Sequence, residues 1–186
     1  IPNSDSVNLN LVTNRRALME HMNFRKDKRK VIQEMELLII DEVSMVRADI
    51  LDAIDFVMRK VRRRESPFGG VQVMLIGDMH QLPPVVKEPE WAILKNYYAS
   101  PYFFDSIVWK QLDAAEVELK KIYRQSDERF LRLLNNIRHQ ELDVEDYEKL
   151  KERYNPGFRP TEKGYILLST HNNKANQVNT SELQKL

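Results

Sequence analysis

The chain has 186 residues, of which 42% are hydrophobic and 31% charged, and its formal net charge is +1. These values allow a hydrophobic core for one domain, or for one domain and the beginning of a second, and they exclude a uniformly basic surface for nucleic acids. The absence of cysteine excludes disulfides and thiolate zinc sites, and the apolar runs are far shorter than the roughly 20 residues of a bilayer span, so we expect no membrane insertion.

The first 36 residues carry no strong structural signal. Residues 1–14 are polar and lack sustained periodicity, so we expect a surface connection there. Residues 15–36 are charged and loosely amphipathic, and they lead into the first predicted strand.

Two apolar runs that each end at an acidic residue are the strongest signal in the chain. LLIIDEVSM occupies residues 37–45, and VQVMLIGDMHQLPPV occupies residues 71–85. We predict buried strands at residues 37–40 and 71–76. The residues between them have the apolar spacing of one helical face, at Val46, Ile50, Ile54, Val57, Met58 and Val61. This helix should end near Arg64, before the breaker Ser-Pro-Phe-Gly-Gly, and the crossover makes the two strands parallel with both acidic ends at one edge.

The rest of the chain alternates predicted helices with two further short strands. An aromatic-rich segment at residues 91–109 is expected to pack over the sheet. The elements predicted after it are a strand at residues 117–119, helices at 127–139 and 144–154, a strand at 165–169 and a helix at 173–186. Proline and glycine precede the last two elements, which we interpret as the beginning of a second domain.

Two carboxylates follow the first predicted strand directly. Open parallel sheets bind ligands at the carboxyl ends of their strands. Asp41 is therefore placed to hold Mg²⁺ through water, and Glu42 to face an attacking water. Two acids at a sheet edge also occur without any catalytic role, and that structural alternative stays open.

A glutamine and an arginine extend this set of candidate residues. Gln81 lies in GDMHQLPPV, where its amide can orient water and contact a terminal phosphate, although this loop, taken alone, is better explained as a polar turn fixed by Pro83 and Pro84. Arg124 lies where a predicted strand gives way to a helix, and a guanidinium there can neutralise charge on a transferring phosphoryl group as an arginine finger does. A single arginine is more often a surface charge, but all three motifs occur in the order that this chemistry requires.

Together these motifs resemble the Pif (petite integration frequency) family of superfamily-one DNA helicases, relatives of the RecD-like 5′-to-3′ translocases. The matching stretches, which cover most of the chain from about residue 34 onward, are LLIIDEVSM, PFGGVQVMLIGDMHQLPPVV, SPYFFDSIVWKQL, ELKKIYRQSDERFLRLLNNIR and YILLSTHNNKANQVN. The resemblance implies that Asp41 and Glu42 are the Mg²⁺-binding and catalytic acids. It also implies that Gln81 is the γ-phosphate sensor and Arg124 the arginine finger.

The resemblance further implies a fold, ligands and partners. We expect an α/β, RecA-like P-loop NTPase with a parallel sheet flanked by helices. Residues 1–125 would be the C-terminal part of the first motor domain, 126–163 a helical connection and 164–186 the start of the second motor domain. ATP and Mg²⁺ would bind between the domains of a monomer, with single-stranded and forked duplex DNA across them. Such helicases act in DNA repair, recombination and telomere maintenance, in the bacterial cytoplasm with the nucleoid or in the eukaryotic nucleus or mitochondrion.

Candidate DNA contacts come from one motif and one basic cluster. In the family, LLSTHNN lies where the second domain meets the DNA backbone, so Thr170 and Asn173 could donate hydrogen bonds to phosphate. Alternatively, Thr170 or Asn172 caps the following helix. The arginines at residues 59–64 could attract phosphate, or they could simply suit a helix C-terminus.

One motif of the family is missing. No G-x-x-x-x-G-K-[ST] phosphate loop occurs in the sequence, so we predict that residues 1–186 alone form no intact ATP site. Two alternatives stay open, a non-enzymatic DNA-binding or interaction fragment and a metal-dependent nuclease that uses Asp41, Glu42 and Asp78. The nuclease needs converging carboxylates and no arginine finger, so the Tyr-Arg-Gln and GDMHQLPP motifs argue against it.

Overall fold

Two short parallel strands lie at the centre of the first half of the chain, as the two apolar runs predict. In the computed structural model, which describes residues 25–158 and 166–184, β1 comprises Leu37–Ile40 and β2 comprises Gln72–Leu75. Their register pairs Leu37 with Gln72 and Ile40 with Leu75. Both carboxyl ends therefore lie at the same edge of the sheet, and the prediction of a parallel α/β arrangement is confirmed.

The helix between the strands begins and ends close to its predicted limits. Helix α1 (Lys26–Glu34) precedes β1, and helix α2 (Ala48–Arg62) connects β1 to β2. Arg63 ends α2 in the left-handed conformation, with φ of 54°. A short 3₁₀ turn, Pro67–Gly70, follows, as expected for a segment of proline and glycine.

The hydrophobic core of this half lies between α2, one face of the sheet and the segment after it. Its buried members are Val43, Leu51, Met58, Phe68, Val71, Phe103 and Val108. Helix α3 (Glu88–Leu94) and two 3₁₀ turns, Phe103–Asp105 and Trp109–Gln111, form the segment that follows β2. Phe103 and Trp109 pack edge to face with ring centroids 5.3 Å apart. Tyr97 and Phe104 of the same segment are exposed, so the predicted packing holds for part of it only.

The opposite face of the sheet is exposed, contrary to the prediction of strands buried on both faces. Side chains alternate along each strand, and Leu38 and Val73 are half-buried towards the core. Leu37, Ile39 and Met74 point to the other side and remain exposed. Parallel sheets are normally covered on both faces, but no element within residues 25–158 and 166–184 covers this one.

Both of the other predicted strands are wrong within the described residues. Residues 112–123 are irregular, and Val117 and Leu119 are 82% and 88% exposed. Residues 166–169 are also irregular, while Tyr165 lies outside the described ranges. A strand needs a neighbour for its backbone hydrogen bonds, and the described sheet contains β1 and β2 alone. The apolar patterns are present, but nothing there pairs with them.

The chain divides into two compact units, Ile1–Lys121 and Ile122–Leu186. The second unit contains helices α4 (Glu128–His139), α5 (Val144–Glu152) and α6 (Asn172–Leu183), which confirms the three predicted helices with small shifts of their ends. The three-part division predicted from the sequence stays a prediction.

Side-chain caps explain where α4 and α5 begin. Asp127 accepts hydrogen bonds from two backbone N–H groups of the first turn of α4. Asp143 and Asp146 form a reciprocal capping box at α5. Asn136 of α4 also donates to the Asp146 carboxylate at 2.7 Å, and this bond holds the pKa of Asp146 below its usual range. Within the two described ranges, no helix combines the length and apolar composition that crossing a membrane requires.

Candidate functional site

Two loops at the carboxyl edge of the sheet carry the candidate residues of the first unit. The Ile76 N–H donates to the Ile40 carbonyl at 2.9 Å, and the Val43 N–H donates back to the Ile76 carbonyl at the same distance. These bonds extend the pairing of the strands past their ends. The loop bearing Asp41 and Glu42, the acidic loop, therefore lies directly beside the loop that begins at Gly77.

Glu42 has an unusual backbone conformation. Its φ of 51° and ψ of 43° lie in the left-handed region, which costs a residue with a side chain about 1 kcal/mol or more. The Asp41 carboxylate accepts the Glu42 N–H at 2.9 Å, and the Glu42 carbonyl accepts the Met45 N–H at 3.0 Å in the 3₁₀ turn Val43–Met45. Both acidic side chains are exposed. The surrounding structure thus holds Glu42 in a strained position from which its carboxylate can reach a ligand.

Gly77 allows the close approach of the two loops. A Cβ atom at this position would lie 3.0 Å from the Val43 backbone nitrogen and 3.2 Å from that of Ser44. Ser44 is buried, and its hydroxyl has no hydrogen-bond partner in the described part of the chain. The Val43 Cγ1 atom would lie equally close, at 3.0 Å, so the junction is tight because both backbone atoms and a branched side chain stand against Gly77.

Replacing Gly77 with alanine should therefore disturb the junction. We expect Gly77→Ala to lower the free energy of unfolding by about 1–3 kcal/mol, as overpacking does, because Val43 and Ser44 must move with the backbone. Gly157→Ala is the matched control, since its nearest neighbour would be the Asn155 side chain at 3.7 Å. Denaturant unfolding of both variants measures the difference, and equal stability of the two would contradict the assignment.

Gln81 lies at the end of a turn that Asp78 organises. The Asp78 carboxylate accepts the His80 N–H at 3.0 Å and the Gln81 amide at 3.3 Å, while its carbonyl accepts the Gln81 N–H at 3.1 Å. Gln81 and the first of the two following prolines are exposed, and Pro84 is buried. The geometry therefore agrees with the interpretation of this loop as a polar turn. The Gln81 side chain is exposed, which also fits a role as γ-phosphate sensor.

Arg124 belongs to the second unit, whereas Asp41, Glu42 and Gln81 belong to the first. It is exposed and lies in an irregular stretch shortly before α4. The Gln125 side chain accepts the Ser126 and Asp127 N–H groups, so this stretch has a defined turn next to the arginine. The role of Arg124 as a finger stays a prediction.

The candidate DNA contacts lie at the start of α6. His171 is the N-cap residue and no side chain caps the helix, so the alternative in which Thr170 or Asn172 provides the cap is wrong. The Thr170 hydroxyl lies 2.9 Å from His171 Nδ1, and Asn173 is exposed in the first helical turn. Their predicted contact with phosphate stays open.

The arginines near the end of α2 have structural partners. Arg62 donates to the carbonyls of Ile32, Gln33, Met35 and Gly69 at 2.7–3.0 Å. Arg59 contacts Asp55 at 2.8 Å and Gln111 at 2.9 Å. Two of the four arginines at residues 59–64 are thus bound to partners within the first unit. This favours the alternative in which these arginines have a structural role at the C-terminus of α2.

The carboxylates of the described residues bear on the nuclease alternative. No group of three or more histidine, cysteine or acidic side chains that could hold a metal ion occurs in residues 25–158 and 166–184. A protein-built nuclease centre needs such a group. The single exposed carboxylate of Asp41 is compatible with a different arrangement, in which Mg²⁺ keeps several waters and is bound largely through phosphate oxygens.

A charged cluster at the N-terminus of α2 escaped the sequence analysis. Arg47 forms ion pairs with Asp49 at 2.5 Å and with Glu90 at 2.6 Å. An arginine directly before a helix was a weak signal, because cations are disfavoured at helix N-termini. Glu90 is 43 residues away in sequence, so no local pattern could have paired them.

Comparison with known proteins gives a consistent result. The sequence model of the PIF1-like helicases matches residues 7–150. The ATP-dependent DNA helicase RRM3 of Saccharomyces cerevisiae is 35% identical over 150 residues, which are 78% of this chain and 20% of the relative. The ATP-dependent DNA helicase Pif1 of Campylobacter jejuni is 33% identical over 161 residues, which are 85% of this chain and 34% of the relative.

Solved structures agree with the sequence comparison. The Pif1 helicase from Bacteroides in complex with ADP-AlF3 and single-stranded DNA has a TM-score of 0.80 and 40% identity. A structure of two coordinating Pif1 helicases at forked double-stranded DNA has a TM-score of 0.79 and 41% identity. Each match covers 87% of this chain and 38% of the solved chain. The chain therefore spans well under half the length of the proteins that it resembles.

Proposed function

Because the chain belongs to the PIF1-like helicase family, we propose that the whole protein is an ATP-dependent DNA helicase. It couples ATP hydrolysis to 5′-to-3′ translocation on single-stranded DNA and to unwinding of the duplex. The observation that carries the proposal is the junction at the carboxyl edge of the sheet, where backbone hydrogen bonds of Ile76 with Ile40 and Val43 hold the acidic loop beside the loop that begins at Gly77 and contains Gln81.

Each candidate residue has a distinct role in this proposal. When bound with ATP, Mg²⁺ would neutralise charge on the phosphate oxygens, and Asp41 would hold it through water. The Glu42 carboxylate orients the attacking water and accepts its proton. The Gln81 amide contacts the terminal phosphate, and Arg124 stabilises charge that develops on the transferring group. Asp78 fixes the turn that presents Gln81.

The partners follow from the same family. One related structure contains single-stranded DNA and another contains forked duplex DNA, and we propose both as substrates here, with Thr170 and Asn173 donating to phosphate. That the whole protein acts as a monomer stays a prediction. Its location with the nucleoid, in the nucleus or in the mitochondrion, and its roles in DNA repair, recombination and telomere maintenance, also stay predictions.

The decisive test compares the whole protein with residues 1–186. We expect single-stranded DNA to stimulate ATP hydrolysis by the whole protein, which should displace a strand from a fork with a 5′ tail but not from one with a 3′ tail. Residues 1–186 should show no turnover, because the phosphate loop provides most direct contacts to the triphosphate.

Three outcomes would contradict parts of this proposal. DNA-stimulated turnover by residues 1–186 would show that the phosphate loop is not needed. DNA binding by the whole protein without any hydrolysis would favour the non-enzymatic alternative. Metal-dependent cleavage of DNA without ATP would favour the nuclease alternative.

A further inference from the structure

Arg47, Asp49 and Glu90 form an ion-pair cluster, the Arg47 cluster, which joins the start of α2 to the first turn of α3. The guanidinium binds the Asp49 carboxylate through two nitrogens, Nε at 2.9 Å and Nη2 at 2.5 Å. Its third nitrogen, Nη1, donates to Glu90 at 2.6 Å. The planar fork of arginine is suited to such a bidentate contact, and a lysine cannot reproduce it.

The cluster is shielded from solvent. Asp49 is 1% exposed, and the side chains of Arg47 and Glu90 are 21% and 24% exposed. The hydrogen bond with Asp49 holds the pKa of Arg47 above its ordinary value. Ion pairs at this depth are screened much less than surface pairs, so the contacts constrain the side chains that make them.

On one side, the cluster is connected to the acidic loop through a short rigid segment. Arg47 follows Glu42 by five residues, and most of this distance is the 3₁₀ turn Val43–Met45. Val43 and Ser44 are buried in that turn, and the Val46 N–H donates to the Val43 carbonyl at 3.0 Å. The segment between Arg47 and Glu42 is thus short, hydrogen-bonded and partly buried.

On the other side, the cluster is connected to the Gln81 turn. Glu90 lies in the first turn of α3, the helix that follows this turn along the chain. Two prolines come directly after Leu82, and each fixes its own φ. The second proline, Pro84, is buried, so the chain between Gln81 and α3 is held against the core.

We propose that Arg47 is a positioning residue that holds the acidic loop and the Gln81 turn in register for ATP hydrolysis. The inference rests on the proposed function, and it adds a residue outside the motifs that carry the chemistry. Arg47 contacts Asp49 and Glu90 and acts through the backbone on Glu42 and Gln81. The macrodipole disfavours positive charge at the N-terminus of α2, so the presence of Arg47 there is explained by its two carboxylate partners.

The simpler alternative is that the Arg47 cluster only stabilises the fold. The chain offers a matched control for that alternative in the pair Arg59–Asp55, on the same helix. This pair is comparably shielded, with side chains 19% and 12% exposed. It lies near the other end of α2, about 18 Å away at 1.5 Å per residue, and it touches neither loop.

The experiment compares Glu90→Gln, Arg47→Lys and Arg59→Gln in the whole protein. DNA-stimulated ATP hydrolysis is measured at a temperature where thermal unfolding shows all variants to be folded. We expect Glu90→Gln and Arg47→Lys to lower kcat by about 10- to 100-fold, the scale of a catalytic group misplaced by about 1 Å. KM for ATP should stay within about twofold, since the phosphate contacts are kept. Arg59→Gln should lower the melting temperature while keeping kcat.

The outcomes separate this inference from the proposed function. If the unsubstituted protein shows no DNA-stimulated hydrolysis, the proposed function fails. If that protein is active and Glu90→Gln keeps kcat within twofold, Arg47 does not position the site. A loss of kcat in Arg59→Gln as large as in Glu90→Gln would also overturn the inference, because general destabilisation would then explain both.

Discussion

Glu42→Gln in the whole protein should retain ATP binding and lose nearly all DNA-stimulated hydrolysis. Glutamine keeps the shape of the side chain but cannot accept the proton of the attacking water, and removal of a general base typically costs about 10²- to 10⁴-fold in rate. The Glu42 side chain is exposed, so the substitution leaves the core untouched. Steady-state hydrolysis with single-stranded DNA and equilibrium titration with a fluorescent ATP analogue measure the two properties separately.

Two further variants make the test of Glu42 specific. Glu36→Gln is the control, because Glu36 is an exposed acid just before the opposite end of β1. The ATP hydrolysis of this variant should stay near that of the unsubstituted protein. Glu42→Gly should be as stable as the unsubstituted protein or more so, since glycine adopts a φ of 51° without strain. It should nevertheless be inactive. Near-normal turnover in Glu42→Gln, or marked destabilisation in Glu42→Gly, would assign Glu42 a structural role.

Arg124→Ala should reduce both ATP hydrolysis and unwinding by orders of magnitude. Arginine fingers contribute about 10³- to 10⁵-fold to turnover, whereas replacing an exposed arginine usually changes stability by less than about 0.5 kcal/mol. Arg124 is exposed next to a turn that Gln125 stabilises. The melting temperature should therefore change very little, and the two readouts cannot be confused.

The control for Arg124 is another arginine of the second unit. Arg153 is exposed at the end of α5, and Arg153→Ala should keep both activities. Arg124→Lys should rescue poorly, because a point charge does not reproduce the planar fork. Hydrolysis by Arg124→Ala within a few-fold of the unsubstituted protein would show that Arg124 is an ordinary surface arginine.

The elements that the sequence predicts well are those whose pattern is local. The strand at Leu37–Ile40 and the helices α2 and α4 follow from apolar spacing, capping residues and breakers, which act over a few residues. The predicted strand at residues 117–119 fails for the opposite reason. Its apolar residues suit a strand, but pairing needs a neighbour, and none lies beside it among the described residues.

For the candidate site, the sequence by itself determined the chemical groups and their order. Asp41, Glu42, Gln81 and Arg124 belong to motifs that can be read directly from the chain, and the family follows from them. The sequence also determined that the two acidic strand ends share one edge, because a strand, helix and strand in succession make parallel neighbours. These conclusions need no knowledge of packing.

Only the tertiary structure decided how those groups are held. The contact of Gly77 with the Val43 backbone and the pairing of Arg47 with Glu90 depend on segments far apart in sequence. Such contacts form when the folded chain brings distant backbone and side-chain atoms within a few ångströms of one another. A local pattern of residue types does not specify which of these atoms will meet. The exposed face of the sheet has the same origin, since burial depends on what covers a strand as well as on its own residues.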